Sequence, residues 1–241
     1  MSITVVVINH SSYADFWVPC IEQLTLESEI TCSQIDLQEI WEIDSNFNWD
    51  TQLKSITDDN KTRTLVLIAY GCGTILLKSW LKANQVLLAT FKVHAILIDS
   101  PPTSSWQNNN PLEKLVKMDR ATYKDEVLKT LTTQSAEKDW IQSIPSKTNY
   151  LKSLLLEVYE KTKLLDDERP LVPLLEEWHE IYSASLPISS ANILRQRRIS
   201  LPNWQSLEIL GPNMSIFPTS NLIPSIHRII ADILCRSKQQ N

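Results

Sequence analysis

The chain has 241 residues, 43% hydrophobic and 21% charged, which suits one globular domain with a sizeable core. A formal net charge of −5 argues against a large nucleic-acid or anionic-membrane surface, and no apolar run reaches the length of a membrane span. The four cysteines (Cys20, Cys32, Cys72, Cys235) stand in no metal-ligand spacing and are too few for a disulfide scaffold, so reduced thiols in a cytosolic protein are expected. The opening MSITVVVINH lacks a basic region and a cleavage site and reads as part of the fold, not as a secretory leader.

In chain order, residues 3–10 (ITVVVINH) are a short β-branched run that predicts a buried strand. A polar turn, a helix over 15–24 and a half-alternating strand over 29–37 (EITCSQIDL) follow. Residues 38–60 read as loop with a short helix. Residues 63–70 (RTLVLIAY) predict a third strand, which passes through Gly71-Cys72-Gly73 directly into an apolar helix continuing towards Ala89. Only three glycines occur in the chain, Gly71, Gly73 and Gly211, where about 7% is usual; two of them sit in this one turn. Residues 92–100 (KVHAILIDS) predict a fourth strand, stopped by Pro101-Pro102, which cannot continue a ladder. The alternation of strands and helices predicts an α/β fold with a mostly parallel, doubly wound sheet.

Residues 110–178 differ. Leu, Lys and Glu recur at helical spacing through three or four segments, the last being VPLLEEW, with no strand between them. The sheet is expected to resume with a strand over 180–186 (EIYSASL), a polar helix around 190–197, a strand over 206–210 (SLEIL) and an amphipathic helix over 222–235. The expected division is therefore a sheet domain of 1–109 and 179–241 with a helical insertion of 110–178.

In element order over nearly its whole length the chain resembles the α/β-hydrolase fold superfamily, in which the insertion would be a helical lid. VVVINHSSYADFW is similar to the family's first-strand motif, where a His-Gly pair follows the strand; His10 matches the histidine and Ser11 stands at the glycine. IAYGCGTILLKSWL looks like the nucleophile elbow, and VHAILIDSPP like the strand after it. SLEILGPNM takes the place of the closing strand and histidine loop.

The elbow needs small residues two positions either side of the nucleophile, so that strand and helix can approach. One frame uses Ala69 and Gly73 as the small pair and puts Gly71 at the tip; the other puts Cys72 there, flanked by Tyr70 and Thr74. The first is preferred, because it places glycine where left-handed backbone is demanded and keeps the bulky Tyr70 out of the close contact. The resemblance also implies a histidine after the last strand, where Met214 stands, and an acid after the strand over 180–186, where no carboxylate occurs. Asp99 serves either as a displaced acid or as a turn residue bonding to backbone.

A nucleophile without base and orienting acid is inert. The expectation is a catalytically inactive pseudo-hydrolase that holds a protein partner or a small apolar ligand, with no nucleic acid, cofactor or metal. Its vestigial pocket would be lined by His10, Ser11, Gly71, Cys72, Asp99 and Met214. The rival is a divergent esterase or thioesterase with Cys72 as nucleophile, His10 as base and Asp99 as acid. A P-loop enzyme is set aside, since the sequence lacks G-x-x-x-x-G-K-[ST]. His94 and His179 lie at strand starts, away from the site, and read as structural; His227 reads as a helix residue. The eight tryptophans fill the core, line a pocket or mark an interface, with Trp17, Trp49, Trp106, Trp140 and Trp178 expected in loops or the lid.

Overall fold

A computed structural model describes residues 3–9, 21–26, 29–36, 55, 64–70, 73–98, 100, 113, 117, 119, 122, 169–183, 203–209 and 222–239. Six strands make up one sheet: β1 (Ile3–Asn9), β2 (Ile30–Asp36), β3 (Thr64–Tyr70), β4 (Lys92–Ile98), β5 (Glu177–Ser183) and β6 (Trp204–Ile209). Their order is β2-β1-β3-β4-β5-β6, and every pair is parallel. The connection reverses direction at β1, so the topological switch point falls between β1 and β3, the place where open parallel sheets form their crevice.

Period-two alternation divides the β-branched runs between two buried faces, as parallel sheets require. One face presents Val5 and Val7 of β1, Val66 and Ile68 of β3, Ile96 and Ile98 of β4, and Ile181 of β5 to a C-terminal helix. On the other lie Val6, Ile8, Leu65, Leu67, Val93, Ala95, Leu97 and Trp178, all at most 2% exposed. Helix α1 (Gly73–Ala83) follows β3 and buries Ile75, Leu76, Leu77, Lys78, Trp80 and Leu81. It stops where Asn84 takes the Trp80 carbonyl with both its backbone N–H and its Nδ2, each at 3.0 Å. The short α2 (Gln85–Leu88) then leads to β4.

Helix α3 (Leu222–Gln239) runs longer than its expected end at 235. Its Leu222, Ile226, Ile230, Ile233 and Leu234 recur at helical spacing and all enter the core. Pro224 falls in the first turn, where a missing N–H costs no helical hydrogen bond. Each such apolar side chain contributes about 1.5–3 kcal/mol on burial.

The return to the sheet differs from expectation. VPLLEEW is not a helix: residues Arg169–Leu174 form a 3₁₀ helix interrupted by Pro173, and Glu177 and Trp178 already belong to β5. Proline cannot supply the N–H a continuing helix needs, and Glu176 instead donates to the Val93 carbonyl at 2.8 Å, drawing the chain alongside β4. Within 110–168, Glu113, Lys117 and Thr122 are helical, with an i,i+4 Glu113–Lys117 pair and an Asp119 carboxylate accepting from the Thr122 N–H at 3.0 Å. The expected elements over 38–60 and 190–197 lie outside the described residues, save for Ser55, which is helical.

Candidate functional site

The C-terminal ends of β1, β3 and β4 come level with one another. Ile8 pairs with Ala69, and Tyr70 pairs with Ile98. The residues that follow these three strand ends in sequence are His10, Gly71-Cys72 and Asp99. All four, together with Ser11 and Met214, lie outside the described residues. What surrounds them is clear. β3 ends at Tyr70 and α1 begins at Gly73, with residues 71 and 72 between them in sequence. Ala69 is 0% exposed and Gly73 is buried. Thr74, in the first turn of α1, and Ser100, after Asp99, are fully buried, and Ser100 Oγ has no hydrogen-bond partner among the described residues.

The topology identifies where the other two members of a catalytic set would come from. Residues 184–203, between β5 and β6, contain no aspartate or glutamate, and residues 210–221, between β6 and α3, contain no histidine. The earlier start of β5 does not change this outcome, since Glu180 falls in mid-strand.

Glu180 is only 2% exposed and accepts a hydrogen bond from Trp204 Nε1 at 2.9 Å. On the same sheet face the fully buried Lys78 of α1 holds its ammonium 5.4 Å from the centre of the Trp178 ring, a cation–π contact. Trp178 is therefore a core residue at 2% exposure, not a lid or loop residue. Sequence reasoning did not single out Lys78 or Glu180. Their partners are set by register, because Trp178 pairs with Trp204 across β5 and β6.

His94 and His179 occupy the third positions of β4 and β5, at the N-terminal end of the sheet, as expected. There Glu177, the register partner of His94, gathers three groups at one oxygen. Its Oε2 lies 2.7 Å from Arg236 Nη2 of α3, 3.0 Å from His179 Nε2 and 3.5 Å from His94 Nδ1. The last distance is an ion-pair approach and not a hydrogen bond, and His94 Nδ1 is a buried atom without a hydrogen-bond partner. Burial holds His94 below the ordinary histidine range; Glu177 and Glu176 pull the other way, and neighbouring His179 reinforces burial. Glu177 and Arg236 carried no signal in the sequence, standing 59 residues apart.

Among the described residues no group of His, Cys, Asp or Glu is arranged to hold a metal ion, and no helix is long and apolar enough to cross a membrane. Burial pushes the Cys32 thiol up to about 11, which marks it as unreactive at neutral pH.

No protein-family model matches the sequence, and no curated protein matches it. Solved structures do match in fold. A haloalkane dehalogenase loop variant from Bradyrhizobium elkanii superposes with a TM-score of 0.68 at 10% identity, covering 100% of this chain and 92% of that one. A carboxylesterase-study structure from the thaumarchaeon Nitrososphaera gargenis gives 0.63 at 11% identity, over 99% and 92% of the two chains. The peroxisomal alpha-beta-hydrolase Lpx1 of Saccharomyces cerevisiae gives 0.62 at 15% identity, over 98% and 77%. The chain has the α/β-hydrolase fold.

Proposed function

We propose that this chain, built on the α/β-hydrolase fold, is a catalytically inactive hydrolase-like protein that works by binding. One observation carries the reading. The two connections that would supply an acid and a base, 184–203 and 210–221, hold no carboxylate and no histidine respectively. In the frame that takes Ala69 and Gly73 as the small pair, the residue at the tip is Gly71, which has no side chain to attack with. A hydroxyl or thiol needs a base to attack at neutral pH, and that base needs an orienting group. The cargo is a protein partner or a small apolar ligand, held at the C-terminal edge near the switch point between β1 and β3. The segment 110–168, shortened from the expected 110–178 because Glu177 and Trp178 belong to β5, acts as a helical lid over that edge: it is inserted between β4 and β5, and its described residues Glu113, Lys117 and Thr122 are helical. A cytosolic address belongs to the same reading.

The register of β1, β3 and β4 favours a second reading. Three adjacent strands end level and are followed by His10, Cys72 and Asp99, the base, nucleophile and acid of a thiol esterase. Steady-state hydrolysis of p-nitrophenyl esters separates the two. The inactive reading expects no turnover above a protein-free blank; turnover that disappears in Cys72→Ala overturns it. The binding half is tested with a series of fatty acids, where occupancy of an apolar pocket raises the thermal midpoint by mass action.

A further inference from the structure

Three elements compete for one carboxylate oxygen at the N-terminal end of the sheet. Arg236 Nη2 of α3 donates to Glu177 Oε2 at 2.7 Å, and His179 Nε2 lies 3.0 Å from the same atom. A carboxylate oxygen offers two lone pairs, and these two partners occupy both. His94 Nδ1, 3.5 Å away, is left as a buried atom without a hydrogen-bond partner. We propose that this cluster is a proton-operated latch, in which Glu177 fastens the last turns of α3 to the sheet through Arg236 and protonation of His94 gives the carboxylate to the histidines and frees the helix end.

The three claimants are unequal in a way that sets the order of events. Arg236 has a side chain 46% exposed, whereas those of His94 and His179 are 9% and 8% exposed. Water replaces a lost partner for the arginine but not for the buried rings. The step needs only the uptake of one solvent proton by the His94 imidazole. The groups that face that ring are Glu177, Glu176 and His179 from β5 and its lead-in, and Arg236 from α3 through Glu177. Lys92 precedes it on its own strand, and β3 pairs it with Val66.

His94 shares its face of β4 with Ile96 and Ile98, on which α3 packs, so lifting the helix end wets the ring. Burial keeps the docked ring below the ordinary histidine value of 6.5, and wetting the ring removes that penalty. The lifted state therefore binds more protons between those two values. Docking is strongest above 6.5 and weakens as the pH falls from there towards the docked value. The Lys238–Glu29 ion pair at the same helix end is half-exposed and adds little to docking.

Native-state hydrogen exchange of the full chain tests the latch, read as protection factors of the amides at 233–237 at about pH 7.5 and about pH 5.5. Protection there is expected to fall at the lower pH while that of β1, β3 and β4 holds. His94→Asn, which keeps an uncharged polar group at the Nδ1 position, should abolish the fall. Arg236→Gln should give low protection at both values. Equal wild-type protection at the two pH values overturns the proposal, as does a uniform loss across the sheet. So does a pH-dependent fall that persists in His94→Asn or, should that variant not fold, in Arg236→Gln.

Discussion

The two ends of the parallel sheet use polar residues in opposite ways. At the N-terminal end, Glu177 draws His94, His179 and Arg236 from β4, β5 and α3 onto one oxygen, joining elements far apart in sequence. At the C-terminal end, β1, β3 and β4 stop level with one another at the switch point, where parallel sheets ordinarily assemble their chemistry. Yet the connections after β5 and β6 bring neither an acid nor a histidine to that end. The strand order is that of the α/β-hydrolase fold, while the polar side chains described at the N-terminal end fasten the scaffold. On the proposed reading, the fold persists without the groups that would activate a nucleophile, since fold and function are separable.

Substitutions at the two ends sharpen this contrast. The largest effect is expected from Glu177→Ala, which leaves His179 and Arg236 without their shared acceptor and His94 without its ion-pair neighbour. Stability should fall by about 2 kcal/mol, read as a lower urea midpoint with unchanged slope. An effect within error would mean that the cluster fastens nothing. Trp204→Phe removes the indole N–H from the buried Glu180 and should destabilise by about 1–2 kcal/mol in the same assay. Arg236→Gln, at a half-exposed ion pair, should cost less than about 1 kcal/mol at neutral pH. The wild-type thermal midpoint should drop as the pH is lowered below 6.5, the ordinary value that burial prevents His94 from reaching, and His94→Asn should lessen that drop. Stability that rises on acidification would reverse the sign and contradict the burial account.

Much of the scaffold was legible because single residue types decide it. Short β-branched runs such as TVVVI, TLVLIA and AILI read as buried strands, and the spacing of Leu222, Ile226 and Ile230 defines one helix face. β5 was misplaced for a physical reason. EWHEIYS carries charged residues at Glu177 and Glu180, and these are tolerated in a strand only because Arg236 and Trp204 meet them in the folded chain. No local pattern contains those partners. The same holds for Lys78, which looks like a surface position of an amphipathic helix and is fully buried over Trp178. At the candidate site, the turn into α1 could be read from Ala69, Gly71 and Gly73. The lack of a carboxylate after β5 and of a histidine after β6 was legible too, and the strand ends at Ser183 and Ile209 define the two connections concerned.

Acyl transfer to Cys72 itself is the most direct test of whether the C-terminal edge has lost its chemistry. The full chain is incubated with p-nitrophenyl acetate and the rate of acetylation at each cysteine is followed by mass spectrometry, with the exposed Cys235 as the internal reference. The account predicts that Cys72 acquires the acyl group no faster than Cys235 and that His10→Ala changes neither rate. Acylation of Cys72 that outruns Cys235 and slows in His10→Ala would contradict it, and would make the level ends of β1 and β3 a working active site.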